Sequence, residues 1–242
     1  MILHGLFGML DNWQTAAKIL KTDFQCILVD LRNHGKSPHA EEMNYHAMAG
    51  DIGGLINDLQ LHEVYLMGHS MGGKVAMQFA ISNAVHVKKL VVVDISPRAY
   101  GRHHDHVLKA IQSIDPGRVN ERAEAETSFR EHLGNDESTV QFLLKNLSRL
   151  PDHGFSWKAN MPVLIRQYDE LMRPVDHYQT FNKPVLFIRG EHSGSVRDED
   201  WEGIIGLFPY ARLVTIPGAG HWVHADAPGA LTTAVSTFLI SD

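Results

Sequence analysis

Short apolar runs and amphipathic helical stripes alternate along this chain. The runs are rich in β-branched side chains and predict buried strands at residues 26–29, 64–67, 89–93, 184–188 and 211–216. Stripes at helical spacing predict helices at residues 13–21, 48–59, 75–80, 198–208 and 228–239. Strands that alternate with helices form a mostly parallel sheet flanked by those helices. We therefore expect an α/β fold.

Residues 99–178 break this alternation. Apolar positions recur there at helical spacing, and no strand alternation of any length is visible. We predict that residues 99–178 are a helical cap, inserted between two strands of a core made of residues 1–98 and 179–242. Such a cap would cover a site at the strand ends and shape its pocket.

Three local interactions are predicted for the first part of the chain. Asp11 or Asn12 is placed to cap the helix at residues 13–21. Asp30 and Arg32 follow a predicted strand, and we expect them to pair and brace the loop, since buried opposite charges are normally matched. Leu59 ends the apolar stripe of its helix and is expected in the core.

Composition narrows the function. The 242 residues can form one large domain with an insertion, and 44% hydrophobic with 21% charged residues is ordinary for a globular protein. The net charge of −6 offers no basic surface to nucleic acid, and no apolar run is long enough to span a bilayer. We expect a small-molecule partner, with neither nucleic acid nor membrane, and the oligomeric state stays open.

The cysteine content and the N-terminal sequence indicate the compartment. Cys26 is the only cysteine, so an internal disulfide is excluded, and its apolar neighbours suggest a buried thiol in a strand. The first residues lack the charged leader and long apolar region of an export signal. These features favour the reducing cytoplasm.

A candidate nucleophile lies between a predicted strand and a predicted helix. Ser70 is the central residue of Gly68-His69-Ser70-Met71-Gly72, which has the spacing of a nucleophile elbow. A strand that turns sharply into a helix needs glycine two positions either side of the turn residue. The helix would begin directly after Ser70, so the Met71 amide and the positive end of the helix dipole could stabilise an oxyanion near the serine hydroxyl.

The loop after the first apolar residues is a candidate for the second oxyanion donor. His4-Gly5-Leu6-Phe7-Gly8 precedes a predicted helix, as does the corresponding loop of hydrolase sheets. The amide of Leu6, with that of Phe7 as the alternative, would face the Met71 amide across a reacting carbonyl. Without Ser70 this sequence would be an ordinary glycine turn.

A serine hydroxyl needs a base, and the base needs a carboxylate to fix its tautomer. His221 lies late in the chain, in a glycine-rich loop after a predicted strand, and is the candidate base. In sheets that carry a nucleophile elbow, the loop after the strand at residues 184–188 usually supplies the acid. In this sequence a serine stands where that aspartate is expected. We assign the acid to Asp94, at the end of the strand that follows the elbow helix, with Glu191 as the alternative.

Other histidines and aromatic residues are assigned to packing or to substrate binding. His103, His104 and His106 are expected on a solvated surface, because adjacent histidines on a helix point in different directions. No metal or cofactor is expected. Phe7, His69 and Trp222 are the candidate substrate-binding residues, His69 with a packing role as well, and His224 is expected beside Trp222 in the pocket wall.

Several motifs together resemble the YbfF-like bacterial esterases of the α/β-hydrolase superfamily. The motifs are Gly68-His69-Ser70-Met71-Gly72-Gly73-Lys74, His4-Gly5-Leu6-Phe7-Gly8, Asp30-Leu31-Arg32-Asn33-His34-Gly35, Met43-Asn44-Tyr45, Asp94-Ile95-Ser96-Pro97, Gln141-Phe142-Leu143-Leu144-Lys145 and Gly218-Ala219-Gly220-His221-Trp222-Val223-His224. The resemblance runs over nearly the whole chain. It implies an α/β-hydrolase fold and a serine esterase that acts on small acyl esters through Ser70, Asp94 and His221.

The resemblance leaves other functions open. An acyl-CoA thioesterase or a lyase could use the same triad, and a ligand-binding protein could retain the fold with little turnover. A dehalogenase or an epoxide hydrolase would need a carboxylate at position 70. Members of the family also have two further strands before His4, so we expect the strand at residues 26–29 to lie at an exposed sheet edge.

Overall fold

The computed structural model describes residues 1–241 and contains one parallel sheet of six strands. The strands are β1 (Ile2–Leu3), β2 (Leu28–Val29), β3 (Val64–His69), β4 (Val87–Val93), β7 (Val185–Gly190) and β8 (Ala211–Ile216), in the order β2-β1-β3-β4-β7-β8. Two further strands form a separate hairpin outside this sheet. The predicted α/β fold with a mostly parallel sheet is confirmed.

Helices cover both faces of the sheet. They are α1 (Gln14–Leu20), α2 (Tyr45–Asp58), α3 (Met71–Ser82), α9 (Trp201–Leu207), α10 (Val223–Asp226) and α11 (Pro228–Ile240). Alternate residues of the central strands enter different cores. Val91 and Val93 of β4 pack with α1 and α11, whereas Leu90 and Val92 pack with α2 and α3. The strands are buried on both sides, as their continuous apolar sequence predicts.

The segment between β4 and β7 is mainly helical. It contains α4 (Asp105–Gln112), α5 (Arg122–Leu133), α6 (Glu137–Leu144), α7 (Met161–Arg166) and α8 (Tyr168–Met172), together with an antiparallel hairpin of β5 (Leu147–Arg149) and β6 (Phe155–Trp157). The hairpin was not predicted, because three-residue strands are too short to show a period of two. Its Trp157 stacks on Phe129 of α5, with ring centroids 6.2 Å apart.

Several hydrogen bonds join this segment to the sheet domain. The Tyr45 hydroxyl donates to the carbonyl of Leu171 at 2.5 Å, and the Asn160 amide donates to the carbonyl of Asn33 at 2.8 Å. The side-chain amide of Asn146, which is fully buried, donates to the carbonyl of Phe7 at 2.7 Å. The helical segment therefore holds the loop that follows β1.

Several local predictions need correction. Helix α1 begins at Gln14 after a 3-10 turn at Leu10–Trp13, and neither predicted residue caps it. The side chain of Asn12 accepts from the Met9 amide, and that of Asp11 accepts from the Gln14 side chain. Leu59 lies just past the end of α2 and is 46% exposed, so the buried stripe ends before it.

The strand predicted at residues 26–29 lies at the sheet edge but is shorter than predicted. Strand β2 forms one edge of the sheet, and only Leu28 and Val29 of the predicted run pair with β1. Cys26, predicted as a buried thiol in this strand, instead lies two residues before β2 and is only partly buried, so this prediction is wrong. Among the helices of residues 1–241, none is both long enough and apolar enough to cross a bilayer.

Candidate active site

Ser70 occupies a strained turn between β3 and α3. Its backbone has φ 51° and ψ −122°, outside the regions that residues with a side chain prefer. A Cβ on Gly68 would lie 2.1 Å from the carbonyl oxygen of Gly72, and one on Gly72 would lie 2.4 Å from that of His4. The turn therefore needs both glycines, as the spacing of the motif predicts.

Asp94 follows β4 directly and is completely buried. Its Oδ1 accepts a hydrogen bond from the Gly190 amide at 3.0 Å, and its Oδ2 accepts from His221 Nδ1 at 2.7 Å. The hydroxyl of Ser193 also donates to Oδ2. Three donors thus stabilise a buried carboxylate, which is the usual condition for burying one.

His221 lies in the loop after β8 and is held through its backbone as well as its ring. Because a carboxylate only accepts, the bond to Asp94 assigns the ring proton to Nδ1 and leaves Nε2 free to act as a base. His69 Nε2 donates to the backbone carbonyl of His221 at 2.8 Å. A Cβ on Gly190 would lie 2.2 Å from the carbonyl of Gly220, so this glycine allows the His221 loop to pass close to the end of β7.

Comparisons with known proteins give one consistent result. A family profile described as alpha/beta hydrolase fold matches residues 1–228. The chain belongs to the α/β-hydrolase family. It is 38% identical over 240 residues to esterase YbfF of Escherichia coli, a match that covers 99% of this chain and 92% of that protein.

Two further relatives extend the comparison. The mouse protein named sn-1-specific diacylglycerol lipase ABHD11 is 37% identical over 246 residues, covering 99% of this chain and 80% of that protein. A solved structure named marine microorganism esterase superposes with a TM-score of 0.95 at 40% identity, covering 98% of this chain and 93% of that one. With such relatives over nearly its full length, this α/β hydrolase is a carboxylic ester hydrolase of the serine hydrolase class.

The candidate oxyanion donors of this α/β hydrolase lie at two loops. Met71 is the first residue of α3, where an amide has no partner within the helix. Leu6 lines the cavities that Ser70 also lines. The amide of Phe7, the alternative donor, points elsewhere, because it donates to His34 Nε2 at 3.2 Å. Leu6 and Met71 therefore remain the candidate pair.

Two buried histidines, to which the sequence analysis assigned no role, support the loop that contains Leu6 and Phe7. His4 Nδ1 donates to the carbonyl of Gly5 and its Nε2 accepts from the Leu31 amide, while His34 Nδ1 donates to the carbonyl of Arg32. Burial lowers the pKa of His4 to about 4 and that of His34 to about 3. Both rings are neutral, since each uses one nitrogen as an acceptor. Nothing in the local sequence distinguishes them from surface histidines.

Asp30 and Arg32 do not pair with each other. Asp30 accepts from the amides of Leu10 and Lys36, at 2.8 and 2.9 Å, whereas Arg32 pairs with Asp51 of α2 at 2.6 Å. Asp30 still braces the loop, but through backbone amides. The two side chains separate because backbone donors surround Asp30.

The loop after β7 supplies groups that the sequence analysis did not assign. Besides the bond from Ser193 to Asp94, the Ser195 hydroxyl lies 3.1 Å from His221 Nδ1. The backbone carbonyl of Ser195 accepts from the Tyr100 hydroxyl at 2.5 Å. Glu191, the alternative acid, is 53% exposed and accepts from the Gly218 amide at 2.8 Å, so it braces a neighbouring turn.

Two cavities meet at Ser70 and His221. One is about 560 Å³ and lies toward α4, α8 and the loop after β7, and the other is about 110 Å³. The candidate substrate-binding residues Phe7, His69 and Trp222 all line the smaller one. His69 also packs against His221, with ring centroids 4.7 Å apart.

Two other histidine predictions need correction. His224 is buried and stacks on Trp13 at 4.7 Å, outside both cavities. His104 lines both cavities and bonds to the Tyr168 hydroxyl. His103 and His106 are exposed as predicted, but His106 also lines both cavities and His103 lines the larger one. Burial lowers the pKa of His104 to about 3. In residues 1–241 no three histidine, cysteine or acidic side chains are grouped to hold a metal ion.

Proposed function

We propose that this protein is a serine carboxylesterase that hydrolyses small or short-chain acyl esters through an acyl-enzyme. The observation that carries the proposal is the bond from His221 Nδ1 to the buried Asp94, with Ser70 on its elbow beside the same two cavities. This is the arrangement that a serine hydrolase requires of its acid, base and nucleophile.

The reaction has two halves. Nε2 of His221 removes the proton of Ser70 as the hydroxyl attacks the ester carbonyl, and the amides of Leu6 and Met71 stabilise the oxyanion. His221 then gives the proton to the leaving alcohol, and the acyl group stays on Ser70. Water, activated by the same nitrogen, releases the acid. Asp94 stabilises the imidazolium throughout without taking its proton.

The size of the smaller cavity supports short acyl groups. Its volume of about 110 Å³ is below the ~300–1,000 Å³ of sites that enclose drug-sized ligands. Phe142 of α6 packs on Trp222 in its wall, with ring centroids 4.5 Å apart. We infer that residues 99–178 act as a cap that limits the acyl chain, and that the enzyme works in the cytoplasm.

The first test is Ser70→Ala, assayed with p-nitrophenyl acetate and p-nitrophenyl butyrate. Loss of the nucleophile should lower kcat by at least ~10⁴-fold, as for other serine triads. Ser82→Ala is the matched control, because Ser82 is exposed at the far end of α3, and it should retain full activity. Equal activity of Ser70→Ala and wild type would refute the mechanism.

An acyl-CoA thioesterase is the second candidate, because the larger cavity leaves room beside Ser70 for a bulky leaving group. Comparing kcat/KM for acyl-CoA and for oxygen esters of the same acid separates the two. A lyase would give a product other than acid and alcohol. A ligand-binding protein would retain a bound ester without turnover.

A further inference from the structure

Lys74 lies one helical turn after Ser70, in the wall of the larger cavity. Its backbone amide donates to the carbonyl of Ser70 at 3.2 Å, so the two residues share a face of α3. Lys74 is only 1% exposed to solvent, which is rare for a lysine without a partner charge. Nothing in the mechanism above uses this side chain.

The surroundings of the Lys74 amine leave its charge without a matching anion. Nζ donates to the backbone carbonyl of Arg173 at 2.5 Å and lies 5.4 and 4.8 Å from the ring centroids of Tyr45 and Tyr100. The hydroxyls of these tyrosines bond to the backbone carbonyls of Leu171 and Ser195. In the described part of the chain no carboxylate lies within ion-pair distance of Nζ.

The rest of the cavity wall is also cationic. Its other charged side chains are Arg98, Arg102 and Arg197, and among residues 1–241 no aspartate or glutamate lines it. These arginines are each matched by carboxylates outside the cavity: Asp200 for Arg98, Asp105 and Asp169 for Arg102, and Glu199 for Arg197. Lys74 is therefore the cation of this wall that still lacks a counterion, in a protein whose net charge is −6.

We propose that Lys74 forms an anion subsite in the larger cavity, and that the preferred esters carry a carboxylate or phosphate group that reaches it. The proposal rests on the esterase function above and adds the class of substrate. A bound anion would supply the missing counterion in a site that water reaches poorly, where such a contact is stronger than at the surface.

The protonation of the amine is consistent with this role. Burial, and then the charge of Arg98, lower the pKa of Lys74 to about 7, so the ammonium form is only partly populated near neutral pH. An anion at Nζ favours that form.

The test compares an anionic with a neutral ester of the same shape. Because Lys74 lines the larger cavity, which receives the alcohol part of the ester, the anion must lie on that part. 3-Acetoxypropanoate carries a carboxylate where 4-acetoxybutan-2-one carries a methyl ketone. The wild type should show a kcat/KM at least about tenfold higher for the carboxylate ester, and Lys74→Met should lower this ratio about tenfold or more, as for loss of a hydrogen bond to a charged group. Because the ratio is taken within one variant, a general loss of activity cancels.

Lys183→Met is the matched control. It removes the same charge, but Lys183 is half-buried at the surface, pairs with Glu63 at 2.9 Å and lies outside the cavity. Its ratio should equal that of the wild type. A second pair, acetyl-CoA against S-acetyl-N-acetylcysteamine, places phosphate instead of a carboxylate on the leaving group. Lys74-dependent preference in this pair alone would identify phosphate as the recognised group.

Two results would overturn the subsite. One is a wild-type enzyme that prefers the neutral member of both pairs, and the other is a preference for the anion that survives in Lys74→Met. If that variant does not fold, inhibition of wild-type p-nitrophenyl acetate hydrolysis by succinate, but not by succinamide, supports the subsite, and equal inhibition refutes it. Failure of the esterase proposal is distinct, since neutral esters would then show no Ser70-dependent hydrolysis.

Discussion

Two neighbouring strand ends divide the task of holding His221. β4 and β7 are paired, with Val93 opposite Ile188, so the residues that follow them lie side by side. The end of β4 contributes the buried carboxylate of Asp94, which bonds to His221 directly. The loop after β7 contributes the hydroxyl of Ser193, which donates to Asp94, and that of Ser195, 3.1 Å from His221 Nδ1. Because both strand ends place groups within reach of the same histidine, we expect that an acid at either end could serve it while the sheet stays the same.

The difference between the two ends is one of charge. The groups from the end of β7 that contact Asp94 are the amide of Gly190 and the hydroxyl of Ser193, both of them neutral donors. A second carboxylate at position 193 would lie close to Asp94 and repel its charge. The Ser193 hydroxyl instead stabilises the single charge of Asp94.

The largest expected effect separates the two strand ends. In our proposal Asp94→Asn removes the charge that fixes the tautomer of His221, so kcat should fall by about 10⁴-fold with the fold intact, as for other neutralised triad acids. Glu191→Gln changes a carboxylate in the β7 loop and should stay within about twofold of wild type, because that side chain braces a turn. Steady-state kinetics with p-nitrophenyl butyrate and circular dichroism measure both. The reverse ranking would move the acid to Glu191.

The next experiment moves the acid across the sheet. Adding Ser193→Asp to Asp94→Asn places a carboxylate beside the position of Asp94 Oδ2. We expect it to restore about 10- to 100-fold of the lost kcat, since a charged hydrogen bond to Nδ1 is regained. Ser193→Asp in the wild-type background should instead lower activity through repulsion. If the double variant is no better than Asp94→Asn, the two ends are not interchangeable.

A smaller effect tests the hydroxyl alone. Ser193→Ala removes one donor to a buried carboxylate, and kcat should fall about tenfold while KM changes little. Ser82→Ala again serves as the unaffected variant. Wild-type kcat in Ser193→Ala would show that the loop after β7 contributes position only.

The sequence predicted the fold because its signals are local and repeat along the chain. The strands at residues 64–67, 89–93 and 184–188 were visible because both faces are buried, which makes them continuously apolar. The hairpin at residues 147–157 was not predicted, because strands of three residues are too short to show the alternation of apolar and polar positions. Leu59 was misplaced because a stripe gives the direction of a side chain and not the point where its helix ends.

The part of the site that could be predicted from the sequence is the part whose backbone geometry requires glycine at fixed positions. Gly68 and Gly72 indicated the turn at Ser70, because a Cβ at either position would collide with the backbone. The neutral partners of Asp94, the bracing histidines His4 and His34, and the unmatched amine of Lys74 gave no such signal. Each acquires its role from residues distant in sequence.

The sequence by itself determined the α/β fold, the turn that holds Ser70 and the need for a base such as His221. These depend on local backbone strain and on hydrophobic periodicity, which act between near neighbours in the chain. Only the tertiary structure decided which neighbours surround Asp94, that the Phe7 amide is taken by His34, and that Lys74 faces a cavity without a counterion. Those outcomes depend on which strand ends and helices lie side by side, because electrostatic contacts form between groups that folding brings together.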